Sequence, residues 1–177
     1  AASGSQYEVF RYRAGASVRI SGPGGSTYRY LYPETDGVNI VYMKDYWTTS
    51  PTHNEVRLYD GTADILLAGN TASLGYLVNG GYAAYHVYDL NGVAQVWVRS
   101  PDGTLRQATS HATASRALLL TDDGRLVYGT NGRYYVKPAP HTGAPTDLGQ
   151  AHGDARLEWR HGMLLLFLGR SGFTIGI

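Results

Sequence analysis

The sequence predicts an all-β protein assembled from repeated antiparallel sheets, and three observations carry that expectation. Apolar and polar residues alternate with period two in short stretches: Tyr82, Ala84, His86 and Tyr88 fall on one strand face, Ala83, Tyr85 and Val87 on the other. These stretches are separated by tight-turn signals such as Asn91-Gly92 and Asp102-Gly103, which supply the positive φ that a hairpin needs. A unit of apolar strand, Gly-ended turn and apolar strand also recurs, with its glycine at Gly37, Gly81, Gly124 and Gly162. The separations are roughly 40 residues, the length of a four-stranded propeller blade. The expected fold is therefore a β-propeller of about four four-stranded antiparallel blades.

In chain order, with the strands of each unit labelled A to D, the opening segment (Tyr7 to Tyr12, then Val18 to Ser21) reads as a C and a D strand without an A and a B. The first full unit comes next as Tyr28 to Tyr32, Asn39 to Met43, Glu55 to Tyr59 and Asp64 to Leu67. The second is Leu74 to Val78, Tyr82 to Tyr88, Gln95 to Arg99 and Leu105 to Ala108. The third is Ala117 to Leu120, Arg125 to Tyr128, Arg133 to Lys137 and Asp147 to Gly149, and the last is Arg156 to Trp159, Met163 to Leu168 and Phe173 to Ile177. Blade repeats thus lie near 28–67, 74–108, 117–149 and 156–177, plus 7–21, in one domain spanning 1–177.

Met163 to Leu168 is apolar on both faces, as expected of a strand between two neighbouring blades, and Gly162 and Gly169 bound it too tightly for a helix. A chain that opens with outer strands and closes with inner ones can complete its last blade and shut the ring. Phe173 to Ile177 is then one claimant too many. Either one of the two claimants is a tail, or the chain is part of a larger ring, completed by further sequence or by another subunit in a homo-oligomer.

With 177 residues the chain can bury a real core. Charged residues make up 16%, below the roughly 25% of ordinary soluble domains, while Gly (23) and Tyr (15) abound, as in a turn-rich β protein. A net charge of +1 with scattered basic residues leaves no footprint for nucleic acid or for an acidic membrane surface. Zero Cys excludes disulfides, thiolate zinc sites and a cysteine nucleophile. The longest apolar run is strand-length, so no membrane insertion is expected, and the first residues show neither a basic n-region nor an apolar h-region.

The residues from Gly81 to Thr109 resemble the repeat of TolB-like and related WD-type bacterial β-propellers. The likeness rests on Gln95-Val96-Trp97-Val98, Pro101-Asp102-Gly103-Thr104, Thr121-Asp122-Asp123-Gly124 and Glu55-Val56-Arg57-Leu58-Tyr59-Asp60-Gly61. The Trp-Ser-Pro-Asp-Gly turn common in that family is missing from every unit. The resemblance implies a propeller with a binding face, in an extracellular or periplasmic bacterial protein, and implies no chemistry. Leu119 to Tyr128 is also similar to the mannose-binding repeat of bulb-type lectins, but the Gln and Asn of that repeat are absent.

No motif for chemistry stands out. The six His show no HExxH spacing, and Asp89-Leu90-Asn91-Gly92 begins like a calcium loop but lacks its later ligands, so neither metal nor cofactor is expected. His86, inside a strand, reads as a packed residue. Gly169-Arg170-Ser171-Gly172 is too short for a nucleophile elbow, and Gly22 to Ser26 lacks the strand and helix of a phosphate loop.

Topology offers more. The B–C and D–A connections of a propeller emerge on one face, and the longest, Lys44 to Asn54, carries Tyr46 and Trp47, amphipathic rings of the kind that binding sites use. The same face is expected to present His53, His111, Arg116, Arg133, His152 and Arg170. The expected function is a non-catalytic binding module for a protein or peptide, or for a glycan stacked on Tyr46 and Trp47. The alternatives are a polysaccharide lyase or glycoside hydrolase at the channel mouth, and an assembly scaffold.

Overall fold

The computed structural model describes residues 7–23, 25, 27–46, 53–69, 75–151, 155–160, 163–168 and 171–175. Strands and turns account for all regular structure among them, with no helix, and the chain divides into two compact units, Ala1–Ser73 and Leu74–Ile177.

In the first unit, β1 (Phe10–Arg13) and β2 (Ala16–Arg19) form a two-stranded hairpin. β3 (Arg29–Thr35), β4 (Ile40–Tyr46), β5 (His53–Tyr59) and β6 (Asp64–Gly69) then form an antiparallel meander in that order. β3 runs beyond the expected end at Tyr32, straight through Pro33. It can do so because it is an edge strand and its register shifts between Leu31 and Glu34, so the ring interrupts no ladder bond. Val9 and Ile20, which flank the hairpin, pack with Tyr30, Ile40 and Tyr42 into one core. At the far side of the sheet Arg57 holds Asp64 through Nε at 3.1 Å and Glu55 at 2.8 Å, and the buried Tyr42 hydroxyl donates to Asp64 at 2.6 Å.

The second unit begins with β7 (Tyr76–Asn79), β8 (Tyr82–Tyr88), β9 (Ala94–Arg99) and β10 (Leu105–Gln107), again a meander. β11 (Arg116–Leu120), β12 (Leu126–Thr130), β13 (Arg133–Lys137) and β14 (Thr146–Gln150) repeat it. β15 (Ala155–Arg160), β16 (Met163–Leu168) and β17 (Ser171–Ile175) form a three-stranded sheet. Each four-stranded meander has the build of a propeller blade. Among the described residues there are three such sheets, one of three strands and one of two, where the sequence leads one to expect about four of four.

Successive sheets of this unit stack face to face. Ala84, Val96, Val98 and Ala108 of one sheet share a core with Ala117, Leu120, Leu126 and Tyr128 of the next. Val127 and Val136, on the opposite face of that sheet, pack with Leu164 of the last, alongside Leu157 and Trp159. Alternation along Leu126-Val127-Tyr128 is what lets one strand serve two cores.

Polar clasps fix the stacking. Buried His86 accepts the Ala117 N–H on Nε2 at 3.0 Å, so its proton is on Nδ1, which donates to the Gly75 carbonyl at 2.6 Å. Burial lowers its pKa, so the ring is neutral, and the packed role expected from sequence is what the structure shows. Gln95 ties β9 to the next connection by donating to the His111 carbonyl at 2.7 Å and accepting from Thr109 Oγ1 at 3.0 Å and His111 N–H at 3.2 Å. The A–B turns interlock as well: Asn79 donates to the Leu120 carbonyl at 3.0 Å, and a Cβ on Gly80 (φ +56°) would fall 2.2 Å from the Asp122 carbonyl oxygen. Only glycine permits that approach.

Candidate functional site

The interlocked A–B turns shape a cleft of about 560 Å³ in the second unit, lined by Asn79, Leu119, Leu120, Asp122, Asp123, Arg125 and Trp159. Three consecutive repeats supply it: Asn79 ends one A strand, Asp122 to Arg125 form the next A–B turn, and Trp159 comes from the A strand of the last sheet. The turn is rigid by construction. Thr121 N–H donates to the Arg125 carbonyl at 3.0 Å, Arg125 N–H returns to Thr121 Oγ1 at 2.8 Å, and the Thr121 hydroxyl also donates to Asp123.

Arg125 is the pivot of the cleft. Its guanidinium carbon lies 5.1 Å from the Trp159 ring centroid, and its Nε bonds Asp123 at 3.1 Å. Burial raises the Asp123 pKa, but the Thr121 hydroxyl and Arg125 outweigh it and hold the carboxyl below its ordinary range. Asp123 is thus an ionised acceptor at neutral pH. Two carboxylates, Asp122 and Asp123, stand against one guanidinium, and both are exposed at the rim.

The residues singled out from sequence lie elsewhere. Tyr46 and His53 are directly opposite each other across the β4–β5 ladder, so Lys44 to Tyr46 and His53 to Asn54 of the expected loop belong to strands. Tyr46 donates its hydroxyl to Glu55 at 2.9 Å, with the Lys44 ammonium 4.8 Å from its ring and 4.3 Å from that of Tyr28. In the second unit His111 stacks on Tyr135 and bonds the Tyr128 hydroxyl at 3.2 Å, while burial and then Tyr135 push Tyr128 up to about 12. Arg116 is exposed at the start of β11, and Arg133 is committed to Asp147 at 2.7 Å. Trp47, His152 and Arg170 lie outside the described residues. His111 lies in a D–A connection, Arg116 begins β11 and Arg133 begins β13, so each sits at the B–C and D–A end of its sheet, with no bond joining the three among the described residues.

A second hollow, of about 490 Å³, opens at the outer edge between β10 and the segment after β13, lined by Trp97, Arg106, Lys137 and His141 among others. His141 is buried there and donates from Nε2 to the Gly124 carbonyl at 2.8 Å. Among the described residues no three His, Asp or Glu side chains gather in a way that could hold a metal ion.

No protein family matches this sequence, and no curated protein matches it. Among solved structures it is similar to the tricorn protease, with a TM-score of 0.46 and 16% identity over 96% of this chain and 20% of that one. The chain therefore spans about a fifth of that protein's length. The blade architecture stands on the strand ladders and interlocked turns described above.

Proposed function

We propose that the protein is a non-catalytic β-propeller binding module that receives an extended polypeptide segment, with a basic side chain, in the A–B cleft of the second unit. The observation that carries this reading is the cleft's composition: a fixed Arg125–Trp159 stack beside two rim carboxylates in excess of the local positive charge. A Lys or Arg side chain lies its methylenes along apolar surface and carries its charge to the rim carboxylates.

Two neighbouring readings are less well supported by the same site. A glycan would stack on the Trp159 ring, but Arg125 already lies over it, so a sugar must displace a paired cation. A glycoside hydrolase needs a carboxyl held protonated, and Asp123 is driven the other way.

The test is fluorescence anisotropy with labelled octapeptides that are basic, neutral or acidic, run beside a glycan array. Retention of basic peptides, weakened by salt and reduced about tenfold or more by Asp122→Lys with an unchanged thermal midpoint, is the expected result. Indifference to Asp122→Lys, or binding confined to glycans, overturns the reading.

A further inference from the structure

The hairpin β1–β2 is half of a blade, and its hydrogen bonds show which half. In the complete second sheet the Val96 carbonyl accepts the Ala108 and Thr109 N–H groups at 2.8 and 3.3 Å. The Val96 N–H donates to Thr109 Oγ1 at 2.8 Å, and the Ser115 N–H reaches back to the Ala94 carbonyl at 2.8 Å. The first unit repeats all four bonds. The Val9 carbonyl accepts from Ile20 and Ser21 at 3.0 and 3.4 Å, the Val9 N–H donates to Ser21 Oγ at 3.0 Å, and the Tyr30 N–H reaches the Tyr7 carbonyl at 3.1 Å. The apolar contacts correspond too: Val9, Ile20, Ile40 and Tyr42 stand where Val96, Ala108, Leu126 and Tyr128 stand, with Tyr30 in the place of Ser115. β1 and β2 are therefore equivalent to β9 and β10, with Phe10 in the place of Trp97 and Tyr12 in that of Arg99.

The difference lies on the other edge. β9 is bonded there to β8, with Tyr85 opposite Trp97 and Ala83 opposite Arg99. Among the described residues β1 pairs with β2 and with no other strand. Val9 turns its carbonyl toward β2, so by alternation Phe10 and Tyr12 turn their N–H and C=O groups outward along the open edge. Phe10 is 53% and Tyr12 75% exposed. Arg11, in the place of Val98, keeps a buried Nε with no partner and lies over the Tyr59 ring. The last sheet has no B strand to offer, because β16 is already bonded to β15 on one edge and β17 on the other.

We infer that the open edge of β1 docks a β-hairpin of the β7–β8 kind, two antiparallel strands of small and aromatic residues, supplied by polypeptide outside residues 1–177. The choice of occupant comes from the interface that β8 makes with β9: the same C strand, latched by the same bonds to the same core, is covered there by such a hairpin. An edge of this sort recruits a strand through main-chain bonds and selects it by the alternate side chains.

The probe is a fluorescein-labelled peptide of residues 75–89 of this chain, titrated into the 177-residue protein with anisotropy as the readout. Saturable binding is expected, with at least a tenfold loss in Tyr12→Pro, which removes an outward N–H and leaves the bonds to β2 intact. The same loss is expected with unaltered protein when the peptide is N-methylated at Tyr85, whose N–H faces β9 in the complete sheet. Absence of binding by a monomeric protein overturns the proposal, and so does binding that both changes leave untouched. Self-association of the protein that Tyr12→Pro dissolves would assign the edge to a second copy and overturn it equally.

Discussion

The hairpins β9–β10 and β1–β2 bond alike to the sheet on their C-terminal side and differ in the strands on their N-terminal side. β9 is clamped between β8 and β10, and around it His86 and Gln95 bind the next connection from the inside. β1 has the hydroxyl latch of Ser21 and the Val9–Ile20 core but no strand on its other side among the described residues. A C–D pair can therefore take its shape from its own turn, one hydroxyl and the face of the next sheet. The A and B strands add burial and the polar clasps.

Replacing His86 by Leu should have the largest effect on this contrast, because it strips the clasp that only the complete blade possesses. The buried Ala117 N–H loses its partner at about 1–3 kcal/mol, and the Gly75 carbonyl, in an exposed residue, loses a bond worth about 1 kcal/mol, read as a drop in the urea midpoint. Next come the paired core valines. Val96→Ala, in a site closed on every side, should cost about 2–3 kcal/mol, and Val9→Ala clearly less, because its open flank can relax. Equal losses would mean that the open edge is covered after all.

The latch itself should be weaker. Thr109→Val leaves the Val96 N–H unpaired and unravels the Gln95 bonds, about 1–3 kcal/mol, whereas Ser21→Ala should cost about 1 kcal/mol in the same unfolding experiment. The smallest effect is expected from pH. Burial lowers the pKa of both His86 and His141, so the folded protein binds these protons less readily than the unfolded chain. Stability present above pH about 6.5 should fall as the pH drops below it toward the folded-state values. Hydrogen exchange at pH 7 and pH 5, corrected for intrinsic rates, should show the loss in β8 and β11 and little change in β1 and β2.

Much of the fold is legible in the sequence because it is local. The bounds of β8, β13 and β16 coincide with the expected strands Tyr82 to Tyr88, Arg133 to Lys137 and Met163 to Leu168. Tyr7 to Ser21 forms a two-stranded hairpin because its turn is self-contained, but the strands are Phe10–Arg13 and Ala16–Arg19 where Tyr7 to Tyr12 and Val18 to Ser21 are expected. β3 is longer than its sequence suggests, since Pro33 looks like an end until the bulge and the edge position are known. The cleft is not legible. Its side chains come from three repeats about 40 residues apart, and Asp122-Asp123-Gly124 reads as an ordinary turn until Gly80 is seen pressed against it. Sequence reasoning instead favours the longest connection, which carries Tyr46 and Trp47, and its Tyr46 is bound into the Glu55–Arg57 network.

The Thr109 latch also changes where one repeat should be said to stop. The hydroxyl that secures β9 lies beyond the last residue of β10, and the bond from Ser115 to Ala94 crosses into the neighbouring sheet. A polypeptide excised at the visible sheet boundary would carry its third and fourth strands without the residues that fasten them. The fastening of one sheet thus lies in the connection to the next, and domain transplants that carry residues 108 to 115 along with β7 to β10 should keep their fold where cuts at Gln107 would fray.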